Sequence, residues 1–373
     1  MKQKVSRREF LLKCALYSGS TCLGLFPGSG FSANNSNWFR YPARWYKKLP
    51  EKQVKCQLCP RECVVDDRER GYCGVRENRN GTYYTLVYGR PCTYHIDPIE
   101  KKPLFHFLPA STAFSLATAG CNVNCKFCQN WEISQSRPEQ IRYYELPPDK
   151  IVKMARELHC RSIAFTYSEP VVFSEYVYDI AEQARSAGIY PVMISNGYIR
   201  KEPLLDLCQV LSGIKIDLKA ITEKFYREVV SGELRPVLDS LVEIKKQGNW
   251  LEIVYLVIPG LNDSEEEFHK LSQWLSSNLG KNVPIHFTRF YPQYLLTNLP
   301  PTPLKTLETA VGIARSYGLK HVYLGNVPGH KDESTYCSAC QKILIKRWGF
   351  KTEIINLQNG QCANCGATIP GVW

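Results

Sequence analysis

The stretch AFSLATAGCNVNCKFCQN, Ala113–Asn130, decides the fold. Its first half is a run of small and apolar residues ending on Gly120, as expected of a buried parallel strand. Its second half packs Cys121, Cys125 and Cys128 into one short loop with C-x3-C-x2-C spacing. Three thiolates can hold one metal or cluster, yet a structural zinc site wants four protein ligands. An iron–sulfur cube usually takes four cysteines, one per iron, so a trio leaves one iron open to a small molecule. A zinc knuckle borrowing a distant fourth ligand is the competing reading of the same residues.

Outward from this loop the chain alternates short apolar segments with amphipathic helical ones, which predicts βα units and a parallel sheet. Strands are expected at 113–120, 162–169, 190–197, 213–220, 252–259 and 285–292, with a seventh candidate at 321–327. Helical periodicity covers 149–158, 174–187, 235–247, 264–278 and 304–317. Polar residues gather where the strands finish: Cys121, then Tyr167-Ser168-Glu169-Pro170, Ser195-Asn196-Gly197, Asp217 with Lys219, and Arg289 with Tyr291. Reactive groups at successive strand ends favour an α/β partial barrel over an open doubly wound sheet, whose site would sit at one switch point. Asp217 and Lys219 alternate with Ile216 and Leu218, so they share a strand face and either meet a ligand or pair with each other.

The 373 residues are 44% hydrophobic, enough for a sizeable core, and contain no apolar run long enough for an ordinary transmembrane span. The formal charge of +12 suggests nucleic acid at first sight. Part of it sits in the N-terminal segment, metal-bound thiolates would offset more, and no basic helix or aromatic-interleaved stripe is present. Nucleic-acid binding is therefore not expected. SRREFLLK, Ser6–Lys13, matches the twin-arginine export pattern, and a weakly apolar stretch follows through Phe26. A cut near Gly30–Ala33 would fit; a basic, unstructured N-terminus is the alternative. The expected organisation is a signal segment over 1–33, a four-cysteine segment over 34–112, the barrel over 113–327 and a second four-cysteine module over 328–373.

Of sixteen cysteines, eleven fall into three tight groups. Cys56, Cys59, Cys63 and Cys73 follow C-x2-C-x3-C-x9-C, which suits a closed zinc site, with an auxiliary iron–sulfur cluster as the alternative. Cys337, Cys340, Cys362 and Cys365 follow C-x2-C-x21-C-x2-C, the spacing of a zinc ribbon, which rubredoxin-type iron also uses. Disulfides are a further alternative for both quartets. Cys160 and Cys208 lie in apolar helical stretches and read as buried core thiols, while Cys14, Cys22 and Cys92 are scattered. His95, His106, His286, His321 and His330 have no ligand-like spacing to one another and read as core or surface residues.

Together, DPIEKKPLFHF (Asp97–Phe107), CNVNCKFCQNWEIS, AFTYSEPVVF, KIDLKA, LVIPGLND, HFTRFYP and YLGNVPGHKDESTYCSAC resemble the radical SAM member of the AmmeMemoRadiSam set, a group related to pyruvate formate-lyase activating enzymes. The resemblance runs from about Val54 to Trp373 and includes the closing IPGVW. It implies a partial (β/α)6 barrel, with Cys121, Cys125 and Cys128 carrying a [4Fe–4S] cluster whose open iron chelates S-adenosylmethionine. Glu169 matches the motif that binds the methionine ammonium, and Asn196 the third-strand motif that helps hold the cofactor. The bland reading of Asn196 is an ordinary Asn-Gly turn. The resemblance also implies a low-potential electron donor and, as in activating enzymes, a protein substrate that loses a hydrogen atom. A small-molecule substrate, or an exported metal-binding or electron-transfer protein, are the competing readings. The twin-arginine stretch departs from the family expectation, because the cofactor and such donors are cytosolic.

Overall fold

The structure, a computed structural model, describes residues 40–373. The expected signal segment, with Cys14 and Cys22, therefore lies outside the described residues. Residues 40–373 pack as one compact unit.

At its centre is an eight-stranded sheet: β1 (Thr93–Pro98), β2 (Thr112–Ala117), β3 (Ser162–Phe165), β4 (Tyr190–Ser195), β5 (Gly213–Asp217), β6 (Trp250–Val257), β7 (Ile285–Arg289) and β8 (Val322–Gly325). Spatial order equals sequence order across all eight. β2 to β8 are parallel, and β1 runs antiparallel to β2 at the edge. The connections carry α1 (Pro148–Glu157), α2 (Ser174–Ser186), α3 (Lys201–Val210), α4 (Leu234–Gln247), α5 (Glu265–Asn278) and α6 (Leu304–Ser316). A sequential order has no reversal point, so the topology is that of a partial (β/α)6 barrel rather than a doubly wound sheet.

The period-2 alternation of the strands separates two environments. Ile214, Ile216, Ile253, Tyr255, Val257, Ile285 and Phe287 are buried in the main apolar core with α4, α5 and α6. Their neighbours Lys215, Asp217, Val254, Leu256, His286 and Thr288 line the barrel interior. Lys215, Asp217, His286 and Thr288 thus put polar groups on an interior face where a filled barrel would place only branched aliphatic residues.

Two elements were not anticipated. α3 buries Leu204, Leu207 and Cys208 at helical spacing, and Pro203 fits because it lies in the first turn. β1 lies within the expected N-terminal segment, so that segment lends the barrel an edge strand. Cys208 is helical as expected, whereas Cys160 is buried in the turn after α1 and not in a helical stretch.

β1 and β8 are the two edges of the sheet. The opening between them is lined by the segment after β1 and by the C-terminal module. The His106 carbonyl accepts from the Val372 N–H at 2.8 Å, and the Leu108 N–H donates to the Val372 carbonyl at 2.7 Å. Arg347 of the C-terminal hairpin (Ile343–Trp348 with Lys351–Ile354) is buried and donates to the Phe105 carbonyl at 2.8 Å.

Candidate active site

The loop Gly120–Cys128 leaves β2 at the C-terminal rim of the sheet, and Gly120 has φ +95°, a conformation that side chains rarely tolerate. A Cβ there would also meet Val75 Cγ1 at 2.6 Å and the Cys73 carbonyl at 2.9 Å, so glycine is required twice over. Cys121, Cys125 and Cys128 face a cavity of ≈ 830 Å³ that reaches down the barrel interior. Burial pushes the Cys121 thiol well above its usual value and the Cys125 thiol up to about 12. Thiols in that state are inert as nucleophiles and are held as thiolates only by a bound cation.

Glu169 stands at the end of β3 in the same cavity wall and is only 3% exposed. Its carboxylate accepts from the Ser195 hydroxyl at 2.6 Å, the Asn196 N–H at 2.8 Å and the Val171 N–H at 3.1 Å. Burial nonetheless raises it to about 7, because the three hydrogen bonds and the charge of Lys219 offset only part of the desolvation. Asn196 is more than a turn residue. Its amide nitrogen donates to Asn122 Oδ1 at 2.9 Å and lies 3.8 Å from Cys121 Sγ, while its oxygen accepts the Tyr198 N–H at 2.8 Å. The cysteine loop and the ends of β3 and β4 are therefore one hydrogen-bonded unit.

Asp217 and Lys219 pair with each other, at 3.2 Å, and both line the cavity. Lys215, one alternation earlier, pairs with Asp217 from the other side. Burial alone would raise Asp217; the two ammonium groups override it and bring it down to about 2. By contrast, Arg289 turns its Nε to the Thr302 carbonyl at 2.8 Å and Tyr291 is exposed, so the end of β7 adds neither to the cavity wall.

Sequence reasoning missed several wall residues. Lys102 is 2% exposed and donates to Asp97 at 2.5 Å, and Tyr167 donates to the same carboxylate. Burial brings Lys102 down to about 8. Tyr167 was in view as a strand-end residue; the signal for Lys102 and Asp97 was present in DPIEKKPLFHF, but that run precedes the first predicted strand, and nothing local shows that it folds into the barrel mouth.

The flanking quartets differ from each other. Cys337, Cys340, Cys362 and Cys365 bring all four sulfurs within 4.8 Å of one another, with the Cys337–Cys365 and Cys340–Cys362 pairs at 3.6 and 3.7 Å. Tetrahedral zinc–thiolate bonds of about 2.3 Å require a sulfur spacing of about 3.8 Å, so this site has the shape of a single ion. Cys56, Cys59, Cys63 and Cys73 converge on a separate small cavity. Of the five histidines named from the sequence, His106, His286 and His321 are buried in the core, and none forms a ligand-like cluster among the described residues.

Residues 115–272 match the radical SAM superfamily model. An uncharacterized protein of Methanocaldococcus jannaschii is 46% identical over 88% of this chain and 98% of its own length. Pyruvate formate-lyase 1-activating enzyme of Escherichia coli is 22% identical over 55% of this chain and 89% of its own length. A putative glycyl-radical enzyme activating enzyme of Methanocaldococcus jannaschii is 27% identical over 47% of this chain and 67% of its own length. The chain belongs to the radical SAM superfamily, and it is an enzyme of radical chemistry related to activating enzymes. With that membership come a [4Fe–4S] cluster and S-adenosylmethionine as cofactors.

Proposed function

We propose that Cys121, Cys125 and Cys128 hold the [4Fe–4S] cluster, and that Glu169 and Asn196 bind S-adenosylmethionine beside it. The observation that carries this reading is the triply hydrogen-bonded Glu169, an anion fixed in a buried wall with no ion-pair partner among the described residues, facing the same cavity as three thiols. When bound, the cluster supplies the single electron that splits S-adenosylmethionine into methionine and a 5′-deoxyadenosyl radical. The chain does the rest. Glu169 receives the ammonium of the methionine half, Asn196 keeps the loop and the β4 end in register, and the Asp217–Lys219 pair presents fixed charges along the cavity. The segment after β1 and the C-terminal hairpin close the barrel's open side and keep water from the reacting centre.

The hydrogen donor is a protein or peptide segment. The names of the activating-enzyme relatives support this, as does the resemblance to the AmmeMemoRadiSam set. Modification of a small molecule is the second reading, favoured by the charged floor of Lys102, Lys215 and Asp217. A low-potential donor protein supplies the electron, and the C-terminal quartet holds zinc. Ser6–Lys13 directs export, which fractionation of cells making a tagged full-length chain would test.

Anaerobic reconstitution with iron, sulfide and reductant is the direct test. 5′-Deoxyadenosine should form from S-adenosylmethionine, and the EPR signal of the reduced cluster should shift when the cofactor is added. Full cleavage by Cys125→Ala would refute the assignment. A glycyl-radical signal on an added partner protein separates the protein-substrate reading from the small-molecule one.

A further inference from the structure

The N-terminal quartet is built differently from the C-terminal one. Among the described residues, the C-terminal quartet is the group whose ligand atoms all lie within 4.8 Å of one another. No three of Cys56, Cys59, Cys63 and Cys73 meet that spacing, although all four border one cavity. Four thiols that share a cavity yet stand too far apart for a single ion fit a group with several metal atoms, one per thiolate.

A second observation points to the same occupant. Arg76 and Tyr83 also line this cavity, and they are 1% and 0% exposed. Arg76 spends Nη2 on Glu175 and Nε on the Val172 carbonyl at 3.3 Å, but its Nη1 has no hydrogen-bond partner. The Tyr83 hydroxyl has none either, and Gly71 leaves it space, since a Cβ there would sit 2.7 Å from that oxygen. Two buried donors without acceptors are costly unless something anionic occupies the cavity. Thiolates and bridging sulfides, whose potential depends on such hydrogen bonds, are acceptors of that kind.

The site also shares a wall with the active-site loop. The Cys73 carbonyl abuts Gly120, the residue before Cys121. Asn122 borders the quartet's cavity, and Arg61, between Cys59 and Cys63, donates its Nε to the Asn122 carbonyl at 2.5 Å. The Arg61 guanidinium stacks 3.4 Å above the half-exposed Tyr72 ring, and the quartet's cavity is bordered both by Tyr72 and by Asn122, the residue after Cys121.

We propose that Cys56, Cys59, Cys63 and Cys73 hold an auxiliary [4Fe–4S] cluster that relays electrons to the active-site cluster. A reduced low-potential donor protein gives up one electron and is oxidised by one; the auxiliary cube goes from 2+ to 1+. It then returns to 2+ as the active-site cube is reduced, and no proton moves. This relay rests on the active-site assignment above, whereas the presence of the auxiliary cube does not.

The test is metal analysis of the full chain with Cys121, Cys125 and Cys128 all changed to Ala, which removes the active-site cube. It should keep about four iron and four sulfide, one iron per thiolate, and give a reduced EPR signal that ignores S-adenosylmethionine. Zinc at both quartets with no sulfide would overturn the proposal. Because that variant could misfold, Cys59→Ser in the otherwise native chain serves as the second measurement. Its iron should fall from about eight to about four while the cofactor-sensitive signal persists; unchanged iron would overturn the proposal. For the relay, freeze-quenching the native holoenzyme with a reduced flavodoxin-type donor should show the cofactor-insensitive signal rising first. The reverse order would overturn the relay alone, and a native enzyme that cannot cleave S-adenosylmethionine would overturn only the active-site reading.

Discussion

The backbone N–H of Asn196 donates to Glu169 Oε2 at 2.8 Å, tying the end of β4 to the carboxylate at the end of β3. Asn196 also reaches the cysteine loop through Asn122 at 2.9 Å, so one asparagine sets the carboxylate and that loop relative to each other. The consequences are measurable.

Cofactor binding should depend on pH through Glu169. Burial raises its carboxyl to about 7, so below that pH the group is protonated and cannot attract an ammonium. Affinity for S-adenosylmethionine should therefore climb as pH rises from about 5.5 to about 7.5. Glu169→Gln should weaken binding by about tenfold or more, the equivalent of one pKa unit of interaction, and flatten that slope. Equilibrium dialysis of the reconstituted enzyme measures both. An unchanged slope in the variant would show that another group titrates.

Acid should unfold the barrel earlier than surface carboxylates alone would require. His106 and His321 are pushed down to about 3 and about 4, by burial first. His106 is held neutral by geometry too: its Nδ1–H donates to the Pro370 carbonyl at 2.6 Å, and its Nε2 accepts the Tyr323 hydroxyl. Above their unfolded value of about 6.5 these residues are neutral in both states and cost nothing. Below it the unfolded chain gains protons that the folded one refuses, so stability is lost as pH falls, at about 1.4 kcal/mol per pH unit for each histidine. Urea midpoints between pH 7 and pH 4.5 should fall accordingly, and His321→Gln should make the fall shallower.

Removing the C-terminal metal should loosen the side of the barrel rather than its centre. Cys337 and Cys362 belong to a small core with Leu344, Ile345, Leu357 and Ile369, which is too little apolar surface to stand without a staple. With zinc in the quartet as proposed, Cys340→Ser should release it and lower the first thermal transition. The helical circular dichroism should persist, since α1 to α6 pack in the main core. Loss of all helical signal together with zinc would contradict that division.

Gly120→Ala should damage the cysteine loop and the neighbouring quartet together. The substitution forces a side chain into positive φ and against Val75 and the Cys73 carbonyl. Strain of this kind costs about 1–3 kcal/mol. The expected result is a lower melting temperature with reduced iron at both sites. Iron retained in full at both sites would mean that the backbone adjusts freely.

The strand–helix rhythm, the cysteine trio and the C-terminal quartet were legible because each is a local signal: periodicity, spacing, or both. Five predicted helices and all seven predicted strands lie where the alternation put them, with ends a few residues shorter. Glu169 was legible because it follows a strand. Lys102 and Asp97 were not, nor was their meeting with Tyr167, since it spans separations of up to 70 residues and no local pattern encodes it.

What the sequence determined by itself was the class of chemistry to expect, because three cysteines in one short loop are one ligand short of a closed site wherever the loop is placed. What tertiary structure decided was the company those thiolates keep. Folding turned Glu169 from a strand-end acid into a buried carboxyl held by three hydrogen bonds, and it set Cys73 against Gly120 although 47 residues separate them. It also gave the two quartets different spacings from similar CxxC beginnings. Sulfur-to-sulfur distance is a property of packed backbones, and no spacing along the chain can state it.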